Sequence, residues 1–444
     1  MVALELPASV ESPLLLLGDC LDVLARLPAE SIDVVITDPP AGIAMMGKAW
    51  DSFAGYEPRT SRGIDVAARL EGLLERLAVG FVAFLADVWS EVDRVLKPGG
   101  LVCAWALPKT ADLAGLALRS VGWTIADSLL HLFGEGMSKT GCLGKSIDAM
   151  LGAEREVVGP NPDAKRGSQR SIAGTQTSTS VERNADITAP ATDEAKRWTD
   201  GCTPSGLAPG HEQWLLARKP SRLIYAQQVL THGTGALNIG VCRVPRGEGE
   251  AGTRCTNRDA AGACRGHRNA GVSTSGETFH GPDTSPAGSW PKNVVLSEGG
   301  KSCPVAELDR QSGASRGASR FFTRLDPGYR YEAKNSDRRA GMRSDIRNEH
   351  PTPKSLELMR WLVALLAAKA EHTGGLPAIV LDPFLGSGTT GVACVAEQVR
   401  FIGIERDEAS FTVARARILA AIGSPEAAAE ANAFAPVGGQ LGLL

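Results

Sequence analysis

A glycine-rich segment near the C-terminus places the tightest constraint on the fold. Ile379 to Leu381 is a short apolar run, and it leads into Asp382-Pro383-Phe384-Leu385-Gly386-Ser387-Gly388-Thr389-Thr390-Gly391. Glycines at this spacing let the chain turn tightly from a strand into a helix and let its backbone approach a ligand closely. Glu405, at the end of the next expected strand, is placed to accept hydrogen bonds from ribose hydroxyls. The pattern predicts a nucleotide-binding turn in an α/β sheet.

From the residues alone, three interpretations of this turn remain open: it binds NAD, it binds S-adenosylmethionine, or it holds no ligand. The spacing fits an NAD-dependent oxidoreductase, and it fits a tight strand-to-helix turn without a ligand. A phosphate-gripping P-loop is disfavoured because no lysine follows the last glycine. Asp382 at the strand end would repel a pyrophosphate, but it would attract a cationic group such as the ammonium of S-adenosylmethionine. We therefore favour S-adenosylmethionine as the cofactor.

A second apolar strand, near the N-terminus, ends in a rigid cluster of hydrogen-bond acceptors. Val34 to Thr37 runs into Asp38-Pro39-Pro40. The prolines lack N–H donors, so the carbonyls here and the Asp38 carboxylate can only accept. An exocyclic amino group suits such a cluster, because hydrogen bonds from its hydrogens orient the nitrogen lone pair. Asp-Pro-Pro alone is a common turn, and it predicts methyl transfer only together with the cofactor turn.

Strands and helices alternate at both ends of the chain. Residues 14–133 and 354–421 show a βα rhythm, whereas residues 150–347 are rich in Gly, Ser, Thr, Asn and Arg with short apolar islands. A loop of that length is unusual in a compact domain, so we expect an inserted module. Residues 151–350 hold 28 Lys and Arg against 22 Asp and Glu, although the whole chain has a net charge of −3. This basic middle favours contact with a polyanion, and a solvated surface is the alternative.

Composition limits the classes of protein to which the chain can belong. No run approaches the roughly 18 apolar residues of a membrane span. The first residues lack the features of a secretory signal, so we expect a cytoplasmic protein without a membrane partner. The nine cysteines form no CxxC pair, which fits reduced thiols. The spacing of Cys242, Cys255, Cys264, His267 and Cys303 matches no usual zinc pattern, and no metal is expected.

Together, the motifs resemble those of the β-class amino-DNA methyltransferases, in which the Asp-Pro-Pro motif precedes the cofactor motif. Residues 14–140 and 345–420 carry the resemblance. Its motifs, in the order of that family, are Gly18-Asp19-Cys20, Thr37 to Pro40, Leu96 to Gly100, Asn348 to Lys354 and Asp382 to Gly391. The middle is similar to phage and bacterial modification methylases at Gly233 to Ile239 and Trp290 to Val295.

The resemblance implies a Rossmann-like, seven-stranded methyltransferase fold with circularly permuted motif order and an inserted target-recognition module. The implied segments are a catalytic half (1–149), the recognition module (150–345), a cofactor-binding half (346–422) and a flexible tail (423–444). The implied activity is methyl transfer from S-adenosylmethionine to adenine N6 in double-stranded DNA, with the base flipped out. Aspartate as the first motif residue favours adenine N6, and cytosine N4 is the alternative. Such a protein would be bacterial or phage-encoded and would serve restriction–modification.

The resemblance also assigns residues to roles. Asp38, Pro39 and Pro40 would receive the target amino group, Asp19 would read the adenine ring of the cofactor, and Glu405 would bind its ribose. His350 to Lys354 would close over the methionine end. The full set expected at the cofactor is Asp19, Cys20, Asp38, His350, Thr352, Lys354, Asp382, Phe384, Gly386, Ser387, Gly388, Thr389, Glu405 and Arg406.

One position departs from the family pattern. The residue after Pro-Pro is normally an aromatic that stacks on the flipped base, and here it is Ala41. We expect an aromatic from the following loop to replace it, with Trp50 preferred over Phe53 and Tyr56. The alternative is a catalytically silent protein that binds the cofactor and DNA.

Two further segments suggest partners. The densest basic run would grip DNA phosphates, and it contains Arg316, Arg320, Arg324, Arg330, Arg338 and Arg339. The C-terminal Gln440 to Leu444 resembles the peptide by which bacterial proteins dock on the replication sliding clamp, although a disordered end is the default. Dimers are common in the family, so a homodimer is compatible with the resemblance.

Overall fold

The structure is a computed structural model. It describes residues 4–43, 51–134, 142–160, 186–199, 207, 209–245, 288–298, 303–312, 317–325 and 354–423. The described chain divides into two compact units, the first from residues 1–136 and 210–444 and the second from residues 137–209.

A nine-stranded sheet in the order β1-β11-β10-β2-β3-β7-β4-β8-β9 forms the first unit, and β5 and β6 pair in the second. The strands are β1 (Leu14–Leu17), β2 (Ile32–Thr37), β3 (Leu96–Ala106), β4 (Thr124–Leu132), β5 (Val157–Pro160), β6 (Asp186–Thr188), β7 (His211–Arg218), β8 (Val294–Ser297), β9 (Thr323–Leu325), β10 (Ile379–Asp382) and β11 (Arg400–Glu405). In the large sheet, as far as the structure describes it, only β7 is antiparallel to its neighbours, β3 and β4. The other pairs are parallel.

Helices cover both faces of this sheet. Those in the first unit are α1 (Cys20–Leu24), α2 (Ser61–Leu70), α3 (Arg76–Val95), α4 (Ala111–Ser120), α7 (Tyr225–His232), α8 (Pro304–Ser312), α9 (Leu356–Leu366), α10 (Ala370–Thr373), α11 (Thr389–Ala396) and α12 (Glu408–Gly423). One hydrophobic cluster joins α1 to α4 with one face of the sheet, and a second joins α9, α11 and α12 with the other face. Residues along β2 and β10 alternate between the two clusters, because each strand is buried on both sides.

The α/β class predicted from the sequence is confirmed, and the strand number is corrected. The sheet has nine strands rather than seven, since β8 and β9 extend it beyond β4. The apolar islands Trp214 to Ala217 and Val294 to Leu296 lie in β7 and β8. Strands that we assigned by composition to an inserted module therefore complete the main sheet. Their isolation in sequence hid this role, because their partners are far away in the chain.

The second unit consists of α5 (Leu143–Met150), β5, β6 and α6 (Asp193–Thr199). Its interior contains the carboxylate of Asp148, which is fully buried. Asp148 accepts hydrogen bonds from the backbone of Ala191 and Thr192 and from the Thr192 hydroxyl, and it pairs with Arg155. The second compact unit spans residues 137–209. The recognition module expected at residues 150–345 stays a prediction.

No helix among the described residues is both long and apolar enough to cross a membrane.

Candidate active site

Four neighbouring strand ends bring the two predicted motifs together. In the order β1, β11, β10 and β2, each parallel strand ends at or just before a carboxylate, namely Asp19, Glu405, Asp382 and Asp38. Leu381 of β10 lies opposite Val35 of β2. The Asp-Pro-Pro turn and the glycine-rich turn are consequently adjacent at the carboxyl edge of the sheet, where ligands of open α/β folds bind.

Asp382 is the structural centre of this edge. Its carboxylate accepts a hydrogen bond from the Thr37 hydroxyl at 2.7 Å and another from the Thr390 hydroxyl at 2.6 Å. The backbone N–H of Phe384 donates to it at 3.1 Å. Burial raises the pKa of Asp382 to about 6, against the lowering effect of these donors. The hydrogen bond from Thr37 ties the end of β2 to the end of β10.

The glycines of the cofactor turn serve different purposes. Gly386 and Gly388 have φ values of 54° and 82°, in the left-handed region that favours glycine. A Cβ on Gly388 would lie 2.8 Å from Cα of Ala414 in α12, and one on Gly391 would lie 2.4 Å from Cδ1 of Ile418. Gly388 and Gly391 therefore allow α11 to pack closely on α12, a reason that the motif alone does not give.

A buried arginine supports the turn from α12. The Arg417 guanidinium is only 4% exposed, and its Nη1 donates to the Ser387 carbonyl, to the Ser387 hydroxyl at 3.1 Å and to the Thr389 hydroxyl at 3.3 Å. Burial lowers the pKa of Arg417 to about 10. Ser387 and Thr389, which we expected at the cofactor, therefore also hold the turn in place. The sequence offered no sign of the role of this arginine.

Glu405 bridges the turn to its own strand. Its carboxylate accepts hydrogen bonds from the backbone N–H groups of Gly386 and Asp407, each at 2.8 Å. Burial raises the pKa of Glu405. A carboxylate has about four acceptor positions, so two amide bonds leave capacity for the ribose hydroxyls that the resemblance implies. The adjacent Arg406 is exposed.

Asp19 caps the first helix. Its Oδ1 accepts from the backbone N–H of Leu21 at 3.0 Å and from Nη1 of Arg59 at 2.9 Å. Cys20 is buried beneath it, and burial raises the pKa of that thiol to about 12. Cys20 therefore contributes to packing and its thiol is not reactive, and its expected contact with the cofactor stays a prediction.

Aromatic residues line the region beside Phe384. Phe84 lies 6.0 Å from Phe384 and 4.8 Å from Phe53, measured between ring centroids. Tyr56 packs edge-on against Phe84 at 5.3 Å, and its hydroxyl donates to the buried Asp87 at 2.7 Å. Phe53 is a core residue, and the Tyr56 hydroxyl is engaged in the interior. Neither ring is presented for stacking on a base.

Ala41 is itself buried, and the turn around it is tightly held. The Thr110 hydroxyl donates to the Ala41 carbonyl at 2.7 Å, and the buried Asp51 accepts from the Gly42 N–H at 2.7 Å. A Cβ on Gly42 would lie 2.5 Å from the Phe81 ring. A large aromatic at position 41 would need rearrangement of this packing. Trp50, our preferred substitute, lies outside the described residues.

Lys354 lies beside the acceptor turn. Its ammonium is 2.9 Å from Oδ2 of Asp38, and its expected contact with the methionine end of the cofactor stays a prediction. The ammonium also lies 3.8 Å from the centroid of the Trp105 ring, at the end of β3. The reason is its position immediately before Ser355, whose hydroxyl caps α9. Packing of α9 against the sheet fixes this lysine beside the end of β2.

Sequence reasoning missed a buried polar chain that begins at Lys354. Its ammonium lies 3.8 Å from Oε1 of Glu212 on β7, and Oε2 of Glu212 lies 3.6 Å from Nδ1 of His131 on β4. Nε2 of His131 lies at hydrogen-bond distance, 2.8 Å, from the Ser297 hydroxyl. Glu212, His131 and Ser297 are all buried. The available signal was the polar residues His131 in β4 and Glu212 in β7.

The described arginines of the predicted DNA-binding run have partners within the protein. Arg320 stacks over Phe321 at 4.1 Å and donates to the Gly317 carbonyl. Nη1 of Arg324 lies 3.9 Å from Oε1 of Glu298, and its side chain is 48% exposed. Several other predicted residues lie outside the described part of the chain, namely His350, Thr352, Arg316, Arg330, Arg338, Arg339 and the tail segment Gln440–Leu444. Among the residues that are described, no group of three or more His, Cys, Asp or Glu could hold a metal.

Comparisons with known proteins agree with this geometry. Residues 269–416 match the family model of the N6/N4-type DNA methylases. No curated protein sequence matches the chain. The match confirms the resemblance to the amino-DNA methyltransferases, and it includes the glycine-rich turn and Glu405. The matched segment, residues 269–416, is similar to the DNA methylases of the N6/N4 type.

The solved structures that are similar to this chain are distant in sequence. A Thermus thermophilus protein named as a DNA modification methylase is 16% identical, with a TM-score of 0.34, over 93% of this chain and 97% of its own. M1.HpyAVI in complex with SAM is 13% identical, with a TM-score of 0.34, over 91% and 98%. The PvuII DNA methyltransferase, described as cytosine-N4-specific, is 13% identical, with a TM-score of 0.40, over 93% and 88%. Such weak likenesses do not carry the assignment.

Proposed function

We propose that this protein transfers a methyl group from S-adenosylmethionine to adenine N6 in double-stranded DNA. One observation carries the proposal: the Asp-Pro-Pro acceptor turn and the glycine-rich turn lie side by side at the carboxyl ends of β2 and β10, joined by the hydrogen bond from Thr37 to Asp382. A donor bound at one turn would face an acceptor held at the other.

The cofactor half fits S-adenosylmethionine by its charge. Three carboxylates, from Asp19, Glu405 and Asp382, follow one another along the edge of the sheet. A pyrophosphate would be repelled there, whereas the ammonium and ribose hydroxyls of S-adenosylmethionine are donors that carboxylates accept. This argument disfavours a dinucleotide. When bound, S-adenosylmethionine supplies the electrophilic methyl group.

The acceptor half positions an amino group. The carboxylate of Asp38 and the carbonyls beside Pro39 can accept both hydrogens of an exocyclic NH₂, which directs the nitrogen lone pair toward the methyl donor. Asp38 is partly exposed, so an entering base can reach it. The proton released after transfer would leave the amino nitrogen toward the Asp38 carboxylate.

The choice of adenine N6 rather than cytosine N4 as the methylated atom is the more specific part of the proposal. It is supported by aspartate as the first residue of the catalytic motif, because the resemblance associates that residue with adenine and serine with cytosine. Cytosine N4 remains the alternative within the family. Ala41 favours a second candidate, a silent protein that binds DNA and cofactor without transfer, because the usual stacking aromatic is absent there.

DNA contact is assigned to the segment between the two motif regions. The exposed Arg324 and the basic residues around it would contact phosphates, and these contacts would make binding depend on salt. The same proposal includes the expected homodimer, the clamp contact through Gln440–Leu444 and a role in restriction–modification.

Transfer of tritium from labelled S-adenosylmethionine into unmethylated plasmid DNA tests the function. Enzymatic digestion of the product DNA and chromatography of its nucleosides then distinguish N6-methyladenine from N4-methylcytosine. Sinefungin binding, measured by calorimetry, is the separate test of the cofactor half. Binding of sinefungin without label in DNA would support the silent protein, and N4-methylcytosine would overturn the adenine assignment alone.

A further inference from the structure

The ammonium of Lys354 lies between a carboxylate and the face of an aromatic ring. It is 2.9 Å from Oδ2 of Asp38 and 3.8 Å from the centroid of the Trp105 ring. The lysine side chain is 8% exposed, whereas that of Asp38 is 23% exposed. A nitrogen that carries hydrogens, bonded to Asp38 and lying against an aromatic ring, occupies the position that a target amino group would take.

Trp105 is placed by the sheet and not by a flexible loop. Thr37 of β2 lies opposite Ala104 of β3 in parallel register, so Asp38 and Trp105 are the next residues along the two neighbouring strands. Neighbouring strands lie about 4.8 Å apart. The Trp105 ring packs against the same hydrophobic cluster as Ile36 and Cys103, and its buried Nε1 has no hydrogen-bond partner. A rigid aromatic face therefore stands beside the acceptor turn.

We propose that Trp105 provides the aromatic face on which the target base stacks, and that Lys354 covers this face until the base enters. The inference rests on the proposed function and deepens it, since it concerns the same site. It also accounts for Ala41: the family aromatic can be absent because a neighbouring strand supplies the stacking surface. Phe53 is less suited because it is in the core, and Tyr56 because its hydroxyl is bonded to Asp87.

Glu212 gives the displaced lysine a second partner. Its Oε1 is 3.8 Å from the ammonium in the present position, and its other oxygen faces His131 at 3.6 Å. Movement of Lys354 away from Asp38 and toward Glu212 would keep its charge compensated within the protein. Because a buried charge without a partner is costly, this second carboxylate makes the uncovering of Trp105 feasible.

Substitution of Trp105 tests the stacking surface. We expect Trp105→Leu to lower kcat/KM for unmethylated plasmid DNA by roughly tenfold to a hundredfold, the effect of losing one stacked base. The sinefungin Kd should stay within about twofold, because the cofactor turn is not touched. Trp105→Phe, which keeps a ring, should retain most of the activity. Trp214→Phe is the matched control: it lies opposite Trp105 in β7 but is fully buried, so it should lower stability without changing the KM for DNA.

Fluorine NMR of protein labelled with 5-fluorotryptophan tests whether Lys354 covers the face of the Trp105 ring. The chain contains eight tryptophans, and the Trp105 signal is the one lost in Trp105→Phe. Lys354→Met should shift this signal in the absence of DNA and leave the Trp214 signal unchanged. Addition of plasmid DNA with sinefungin should shift it in the wild type.

The outcomes separate this inference from the proposed function. Full activity of folded Trp105→Leu, alongside an active wild type, overturns the stacking role of Trp105 and leaves the methyltransferase assignment intact. A Trp105 signal that does not respond to Lys354→Met overturns the covering role of Lys354. A wild type that transfers no label to DNA overturns the proposed function, and the stacking inference falls with it.

Discussion

Two turns of similar sequence end the neighbouring strands β2 and β10, and their environments differ. Both follow the pattern Asp-Pro-x-x-Gly, at Asp38 to Gly42 and at Asp382 to Gly386, and both glycines have positive φ. Asp382 is buried among neutral donors, the hydroxyls of Thr37 and Thr390. Asp38 is partly exposed and pairs with the ammonium of Lys354.

The difference shows how one local pattern yields two chemical roles. A buried carboxylate with neutral donors is held in place and has a raised pKa, which suits a group that orders a turn and senses a cationic ligand. A partly exposed carboxylate paired with an ammonium is open to an entering group, which suits the proposed role of receiving a substrate. The following predictions test this division of roles.

The largest effect is expected for Asp38→Asn. Loss of the carboxylate acceptor should lower kcat for methyl transfer by roughly 10³-fold, within the range for a positioned acid–base group. Because Asp38 is also expected at the cofactor, sinefungin affinity, measured by calorimetry, should weaken far less than kcat. Asp33→Asn is the control at the opposite end of β2, where Asp33 pairs with Lys97 at 2.5 Å. It should lower Tm but not kcat. Equal losses of kcat in both variants would remove the special role of Asp38.

Asp382→Asn should change the pH dependence of stability. Burial raises the pKa of Asp382 to about 6, above the value of about 3.9 expected in the unfolded chain. The raised pKa contributes stability that is present below about pH 4 and is lost as pH rises through 6. Between these limits the wild type should lose on the order of 2 to 3 kcal/mol relative to Asp382→Asn. Urea unfolding at several pH values measures this difference, and parallel profiles for the two proteins would contradict the assignment.

Gly388→Ala should weaken both the fold and the cofactor turn. The new methyl group would meet Ala414 on α12 at a position with φ of 82°. We expect a loss of about 1 to 3 kcal/mol in the free energy of unfolding, as for other overpacked sites, together with weaker sinefungin binding. Gly115→Ala is the matched control, because in α4 its Cβ would make only an ordinary contact, at 3.8 Å from Leu215. That change should stabilise the protein by about 0.5 to 1 kcal/mol. A neutral Gly388→Ala would show that the close packing is dispensable.

The smallest effect is expected for Thr37→Val, which removes the hydroxyl that joins the two strand ends. We expect a loss of about 1 kcal/mol in stability, typical of one hydrogen bond. Because the hydroxyl stabilises ionised Asp382, its removal should also raise the pKa of Asp382 and move the pH transition upward. Thr390→Val is the companion variant, since that hydroxyl donates to the other carboxylate oxygen. A transition that stays in place in both variants would mean that burial alone sets the pKa.

Sequence reasoning predicted most of those parts of the fold that depend on a short segment of the chain. The strands around Val34 and Val380 and the glycine-rich turn before α11 all follow from short patterns. Sequence reasoning failed where pairing is distant. β7 lies between β3 and β4 although it follows both in the chain, and no local pattern specifies that order. The ion pair between Lys354 and Asp38 was missed for the same reason, because it depends on how α9 packs.

The amino-acid sequence by itself determined the class of chemistry. Short segments determine the spacing of glycines, the rigidity of prolines and the carboxylates at strand ends. These features indicate the same chemistry in any fold that places them at a strand end. Only the tertiary structure decided which groups meet: Thr37 with Asp382, Lys354 with Asp38 and Trp105, and Glu212 with His131. These contacts arise from strand order and helix packing, which depend on the burial of apolar surface across the whole domain and not on any one motif.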